Sequence, residues 1–425
     1  MKQIRFLFIL LAFSTTRLVA QEITGDWAGY LNVQGMKLKI VFHIRQNDGK
    51  LSATFDSPDQ NATGLKFDET TLNGNDISMS SKSLGIQYQG TASRAMDTIS
   101  GQWIQGGGRL PLTLERTTVE AVKKPVNPYE SDIVLKTATG DINGTLTFPG
   151  EASVVPVVII IAGSGPTDRD GNSPPILKNS SNCYKLLADG LRKQGIASVR
   201  YDKRGIAGSR SAAQKESDLR FEHYVADASA WIDQLSRDKR FSKVIVAGHS
   251  EGSLIGMIAS GRAKVNGYIS IAGSGRPAGE ILREQFGSLP QEDKDRIFPM
   301  LDKLEKGDTI GNVPKELNSF FRPSIQPYLI SWFRYDPTAE IKKLKIPVLI
   351  LQGDMDIQVS LKDAELLSKA NRKASLKIIK NMNHILKDTD IKDKMEQVSK
   401  VYTNPDLPLD KIFEDEVVKF VKQVK

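Results

Sequence analysis

The sequence predicts an α/β fold with a mainly parallel central sheet and a helical cap, preceded by a small all-β N-terminal domain. Three observations carry this. From Gly25 to about Arg116 apolar and polar residues alternate with period two, as in Lys37-Leu38-Lys39-Ile40-Val41-Phe42-His43-Ile44, the pattern of half-buried strands. From Ser131 onward strand-like runs alternate with helix-like ones, the signature of a parallel sheet covered on both faces. Between Arg276 and Lys345 that alternation stops, giving way to a helical, charged stretch and then an aromatic one.

The chain begins Met1-Lys2-Gln3-Ile4-Arg5, continues with an apolar run from Phe6 to Phe13, and reaches Leu18-Val19-Ala20 before Gln21. Positive, apolar and small-residue regions in that order predict a secretory signal at residues 1–20, cleaved after Ala20. The apolar run is about half of the roughly 20 residues that a membrane-spanning helix needs, and no later run reaches that length. The expected location is therefore the periplasm or the medium. Removing residues 1–20, which carry Lys2, Arg5 and Arg17 and no acid, lowers the net charge from +8 to +5. That residue is scattered among acids without an aromatic-basic stripe, so no nucleic-acid partner is expected. With 40% hydrophobic and 25% charged residues the composition excludes disordered and fibrous classes. Cys183 is the single cysteine, so no internal disulfide forms, and its helix-like context without a motif marks it as a small packing residue.

The all-β domain is expected at 22–116, a barrel or sandwich with hairpin turns at Asn47-Asp48-Gly49 and Asn73-Gly74-Asn75-Asp76. It shows no cluster of acids, bases or ligands; His43 stands by itself in a strand and is expected to be structural. A linker at 117–129 carries Pro125 and Pro128. The α/β domain then occupies 130–425. A leading hairpin is expected near Ile133 and Leu146, a central strand at Val154 to Ile161, and further strands at Ala197 to Tyr201, Lys243 to Ala247, Gly267 to Ile271, Val348 to Leu351 and Leu376 to Ile379. Helices fit Tyr184 to Gln194, Phe221 to Ser236, Gly252 to Arg262, Leu361 to Lys369 and Leu409 to Val424. The insertion at about 276–345 would cover the C-terminal ends of the strands as a cap. Its Phe320, Phe321, Tyr328, Trp332, Phe333 and Tyr335 either line an acyl pocket or form the cap's own core.

The segment that carries chemistry is Val244-Ile245-Val246-Ala247-Gly248-His249-Ser250-Glu251-Gly252. A strand ends there at Gly-x-Ser-x-Gly and a helix begins at once, the arrangement that lifts a nucleophilic serine to the open end of a sheet. A serine hydroxyl needs a base to take its proton and a carboxylate to orient that base. On this kind of turn the chain order is serine, acid, histidine. Of the four histidines, His43 and His223 precede the serine and His249 sits on the turn itself, which leaves His384 in Asn381-Met382-Asn383-His384. The acid belongs after a strand between the two. The segment Val348-Leu349-Ile350-Leu351-Gln352-Gly353-Asp354-Met355-Asp356 offers Asp356, with Asp354 as the alternative. Two backbone N–H groups must face the developing oxyanion: that of Glu251 at the helix start, and one from Ala162-Gly163-Ser164-Gly165-Pro166, where Ser164 is favoured and Gly165 is the alternative. The polar run Thr167-Asp168-Arg169-Asp170-Gly171-Asn172 either shapes the leaving-group side or pins this loop by ion pairs, with pinning favoured.

With these pieces the chain resembles the α/β-hydrolases, and more narrowly bacterial exported esterases near the serine aminopeptidase and prolyl oligopeptidase branch. The matching segments are Gly163-Ser164-Gly165-Pro166-Thr167-Asp168-Arg169, Arg200-Tyr201-Asp202-Lys203-Arg204-Gly205, Gly248-His249-Ser250-Glu251-Gly252, Gly353-Asp354-Met355-Asp356-Ile357-Gln358-Val359 and Asn383-His384, within about residues 130–425. The resemblance implies acyl transfer on a small ester, with no metal or cofactor. It also implies that Arg200 to Gly205 supports the site without reacting. A peptidase that trims N-termini needs acids to hold the substrate amine, and Glu251, Asp168 and Asp170 are the candidates for that alternative. A catalytically inert protein of this fold that binds a ligand is the remaining one.

Overall fold

The computed structural model describes residues 23–33, 36–60, 62–82, 84–117, 127–150, 154–173, 179–213 and 215–425. The expected signal at 1–20 and most of the linker at 117–129 lie outside these. The chain divides into two compact units on either side of residues 124 and 125.

In the first unit the described strands are β1 (Gly25–Val33), β2 (Met36–Asn47), β3 (Lys50–Ser57), β4 (Ala62–Lys66), β5 (Glu69–Asn73), β6 (Asp76–Ser81), β7 (Ile86–Ala92), β8 (Thr98–Gln105) and β9 (Gly108–Thr117). They form one sheet in the order β4-β3-β2-β1-β9-β8-β7-β6-β5, antiparallel throughout. Its two edges, β4 and β5, are joined by only Phe67 and Asp68. Phe67 N–H donates to Ala53 O (3.0 Å) on one side and Asp68 N–H to Ser80 O (2.7 Å) on the other. A two-residue link between opposite edges forces the sheet to roll up, so the unit is barrel-like and not a sandwich. Trp27, Phe42, Phe55, Tyr88 and Trp103 fill the interior, with Phe42 and Tyr88 edge to face at 5.1 Å. Asp48 and Gly49 at φ 49° and 75° make the β2–β3 hairpin turn. His43 does not stand by itself: Nδ1 lies 2.8 Å from Asp26 and Nε2 3.1 Å from Asp56. Both acids sit beside β2 on neighbouring strands, a proximity set by sheet register and invisible in the linear order.

The second unit contains, in chain order, β10 (Glu130–Thr137), β11 (Gly140–Thr147), β12 (Val155–Ile161), α1 (Cys183–Lys193), β13 (Ala197–Tyr201), α2 (Phe221–Ser236), β14 (Phe241–His249), α3 (Glu251–Arg262), β15 (Gly267–Ile271), α4 (Ala278–Phe286), α5 (Gln291–Lys306), α6 (Asn318–Phe321), α7 (Gln326–Phe333), α8 (Pro337–Ile341), β16 (Val348–Gly353), α9 (Leu361–Ala370), β17 (Ser375–Ile379), α10 (Lys394–Gln397) and α11 (Lys411–Gln423). The sheet order is β10-β11-β13-β12-β14-β15-β16-β17. The hairpin β10–β11 and the β11–β13 pair are antiparallel and the rest parallel.

The unbroken apolar run in β12 follows from burial on both faces. Val157, Ile159 and Ile161 share one core with α2, α3 and α9, while Val158 and Ile160 share the other with α1 and α11. After β12 the chain passes to α1 on one face, and after β14 to α3 on the other. The loops leaving β12 and β14 therefore part, opening a crevice at the strands' C-terminal ends, where ligands of such sheets bind.

Helices α4 to α8 form the insertion between β15 and β16. Tyr328 of α7 donates a hydrogen bond to Glu251 at the start of α3, so the insertion reaches this end of the sheet. Several of its aromatics pack against α2, outside the insertion. Phe221 of α2 stacks on Trp332 at 9° and packs on Tyr335, while Tyr224 packs on Tyr328, and Phe321 is buried. Phe320 is exposed. These contacts join Tyr328, Trp332 and Tyr335 to α2, so the three serve neither as the insertion's own core alone nor as an open acyl pocket.

Candidate active site

β14 runs without a gap into Ser250 and α3 starts at the next residue. Ser250 has φ 54° and ψ −120°, a conformation that costs a non-glycine residue roughly 1–3 kcal/mol and persists only where the surroundings impose it. The flanking glycines impose it. A Cβ on Gly248 would sit 2.1 Å from Gly252 O, and one on Gly252 would sit 2.3 Å from Ile161 O, so neither position admits a side chain. Ser250 N–H donates to Ile271 O at 2.9 Å, tying the turn to the end of β15.

His384 lies in the loop after β17 and Asp356 in the loop after β16. The two loops clamp each other through Met355 N–H to Met382 O (3.1 Å) and Asn381 N–H to Asp354 Oδ1 (2.6 Å). His384 Nδ1 is 2.8 Å from Asp356 Oδ2, and both side chains are buried. Asp356 also accepts from the N–H groups of Gln358 and Val359 and from Gln352 Nε2. Burial pushes the Asp356 carboxyl up, but His384 and the two backbone donors outweigh it, leaving it below the usual carboxylate range. Asp354 is exposed and does not touch His384, so geometry selects Asp356 of the two. Among the described residues neither Ser250 Oγ nor His384 Nε2 has a hydrogen-bond partner, leaving both atoms open to a substrate.

Glu251 N–H is at the first turn of α3, where helical N–H groups lack intrahelical acceptors. In the loop after β12, Gly163 N–H is taken by Tyr184 Oη at 3.1 Å. Ser164 and Gly165 N–H have no partner among the described residues, and both residues are exposed beside the turn. A Cβ built on Gly163 would lie 3.1 Å from Ser250 Cβ, which brings this loop against the Ser250 turn.

The loop is pinned from behind, as the ion-pair reading of 167–172 requires. Asp168 Oδ1 accepts from the Asp170 and Asn172 N–H groups. Arg169 pairs with Asp202 at 2.6 Å, and Asp170 with Arg200 at 2.8 Å. Burial and the neighbouring Asp170 and Asp202 push the Asp168 carboxyl up to about 6, against the pull of the two N–H bonds.

Three residues near the site had no individual role assigned from the sequence. Lys203 is buried; its Nζ donates to Gly163 O at 2.6 Å and to Glu251 at 2.7 Å, joining the β12 loop to the residue after Ser250. Its cue was a cation directly after the buried strand β13. Tyr184 and His249 bond to each other at 2.7 Å, and nothing local marks them. Cys183 is buried, which pushes its thiol up to about 11 and makes it inert. No group able to hold a metal ion occurs among the described residues.

The family described as serine aminopeptidase, S33 matches residues 177–299. Esterase EstD of Thermotoga maritima is 27% identical over 273 residues, a match spanning 62% of this chain and 61% of that esterase. Among solved structures, Est1E from Butyrivibrio proteoclasticus is similar with a TM-score of 0.46 and 18% identity, over 69% of this chain and 98% of its own. The α/β hydrolase GrgF from Penicillium sp. sh18 is similar with a TM-score of 0.47 and 15% identity, again over 69% and 98%. Strand order and the Ser250 turn are those of an α/β-hydrolase fold, and over residues 177–299 the chain is similar to the serine aminopeptidase, S33 family.

Proposed function

We propose that the chain is a serine carboxylesterase acting on small, short-chain acyl esters through an acyl-enzyme intermediate. The observation that carries this reading is the Ser250 turn, tied through His249 to the His384 backbone, beside a buried His384–Asp356 pair. In this mechanism Ser250 Oγ attacks the ester carbonyl while His384 Nε2 takes its proton. Asp356 holds the imidazole with Nδ1 protonated, and the N–H groups of Glu251 and Ser164 receive the oxyanion. His384 then protonates the departing alcohol. Water, deprotonated by the same nitrogen, releases the acid and restores Ser250. No step calls for a metal or cofactor. The similarity to a protein named as an esterase supports the choice of substrate class.

The family description also raises an aminopeptidase. That reading needs an acid free to bind a substrate amine. Glu251 is paired with Lys203 and Tyr328, Asp170 with Arg200, and Asp168 with two backbone N–H groups, which favours the esterase.

The test is turnover of p-nitrophenyl esters of increasing chain length alongside aminoacyl p-nitroanilides, with wild type and Ser250→Ala. Ser250-dependent ester cleavage that falls with chain length, with anilides untouched, is the expected result. Preferential anilide cleavage would move the protein to the peptidases, and inertness to both would leave the ligand-binding alternative. Residues 1–20 are proposed as an export signal; N-terminal sequencing of the protein from the producing cells should find Gln21 first, and an intact Met1 would refute it.

A further inference from the structure

Gly163 N–H, Tyr184 Oη, His249 and the His384 carbonyl form one buried chain of hydrogen bonds whose direction is fixed. His249 Nε2 faces His384 O at 2.8 Å; a carbonyl only accepts, so Nε2 carries the hydrogen. Burial and the neighbouring His384 hold His249 neutral, its pKa brought down to about 3, so Nδ1 is bare. Tyr184 Oη, 2.7 Å away, must therefore donate to it, and Oη in turn accepts from Gly163 N–H at 3.1 Å. Each group has one role, and the chain closes only with a tyrosine and a neutral histidine in these places.

What the chain joins matters more than its own stability. One end is the loop after β12, whose free N–H groups face the oxyanion in the proposed mechanism. The middle is His249, the residue before Ser250. The other end is the backbone of His384 itself, whose ring lies 4.7 Å from that of His249. Asp356 orients the His384 imidazole but does not fix where its backbone stands relative to Ser250. The Tyr184–His249 pair ties that backbone directly to the residue before Ser250, and through Gly163 N–H the same hydrogen bonds reach the loop after β12.

We infer that Tyr184 and His249 are positioning residues that set the spacing of nucleophile, base and oxyanion donors through this one-way relay. The inference rests on the acyl-transfer reading. Errors of about 1 Å in such spacing cost on the order of 100-fold in rate, and they act on kcat more than on substrate binding.

The test compares wild type, Tyr184→Phe, His249→Gln and His249→Leu in the full chain. The readouts are kcat and KM on p-nitrophenyl acetate, the rate of covalent labelling of Ser250 by a fluorophosphonate, and Tm. Tyr184→Phe is expected to lower kcat and labelling rate roughly 10- to 100-fold with KM within about threefold. The protein stays folded, because the phenyl ring keeps the packing. His249→Gln, which retains an N–H donor for His384 O, should keep more activity than His249→Leu. Wild-type kcat and labelling rate in Tyr184→Phe would overturn the inference, as would equal losses in the two His249 variants. If wild-type protein is neither labelled nor active on any ester, the acyl-transfer reading fails and this inference falls with it. A labelled wild type beside an equally fast Tyr184→Phe refutes the inference alone.

Discussion

Asp356 Oδ2 receives two donors at once, His384 Nδ1 at 2.8 Å and Gln352 Nε2 at 3.0 Å, while Oδ1 holds the Gln358 and Val359 N–H groups. All its lone pairs are committed, so it stays ionised and fixed in orientation when His384 becomes positive. Asp356→Asn should lower kcat roughly 10³- to 10⁴-fold with the fold intact, whereas Asp354→Asn, on the exposed side of the same loop, should stay within about threefold. Steady-state kinetics on one ester decides; comparable losses in both would remove Asp356 from its assigned role.

Ser250 carries the strain of the turn. Ser250→Ala should abolish turnover and leave Tm within a few degrees, because the small side chain makes no hydrogen bond. Ser250→Gly should be more stable than Ser250→Ala by about 1 kcal/mol, since glycine adopts φ 54° without steric cost. Chemical denaturation of the two inactive variants measures this; equal midpoints would show that the turn is not strained.

Lys203 and Glu251 form a buried ion pair at 2.7 Å. Removing one partner strands the other charge, so Lys203→Met should cost about 3–5 kcal/mol. The double variant Lys203→Met with Glu251→Gln should recover a large part of that, because no bare charge remains. Urea unfolding of both variants is the check, and a double variant no better than the single would contradict the ion-pair account.

Asp168 bears on stability at high pH. Its folded-state pKa of about 6 lies above the ordinary 3.8, so the native state holds this proton more tightly than the unfolded chain. Its contribution is fully present below about pH 4 and is lost as pH rises through 6. Both backbone donors bond Oδ1, which an amide keeps. Asp168→Asn should therefore raise stability at pH 8 by on the order of 1–2 kcal/mol and leave it unchanged near pH 4. Thermal melts across pH 4–8 would show the crossover, and a uniform loss at every pH would sink the prediction.

His249 acts in the opposite sense. Burial brings its pKa down from 6.5 to about 3, so the unfolded chain binds the proton more readily. Its contribution is present above 6.5 and is lost as pH falls toward 3; the lowered Asp356 carboxyl works in the same direction. Acid unfolding of wild type should begin below about pH 6, and His249→Gln should flatten that slope in a pH series of denaturation curves.

Much of the architecture was legible because it rests on local pattern. The helix expected at Phe221 to Ser236 and the strands at Ala197 to Tyr201 and Gly267 to Ile271 appear with those bounds. Val154, assigned to the central strand, stays outside β12 and exposed. Gly248 and Gly252 are read from spacing alone, since the clash of a Cβ with Gly252 O and Ile161 O is a property of any such turn.

Residue order and type by themselves determined the two-part fold class, the Ser250 turn and the short set of acids and histidines that can serve it. Tertiary structure alone put Asp356 rather than Asp354 against His384, placed Asp26 and Asp56 on His43, packed Tyr328, Trp332 and Tyr335 against α2, and committed Glu251 to Lys203. The reason is physical. A strand or a turn is specified by side chains within a few residues of one another, whereas the bond from His249 to the His384 carbonyl spans 135 positions, and only the folded sheet sets which distant polar groups come to share one buried space.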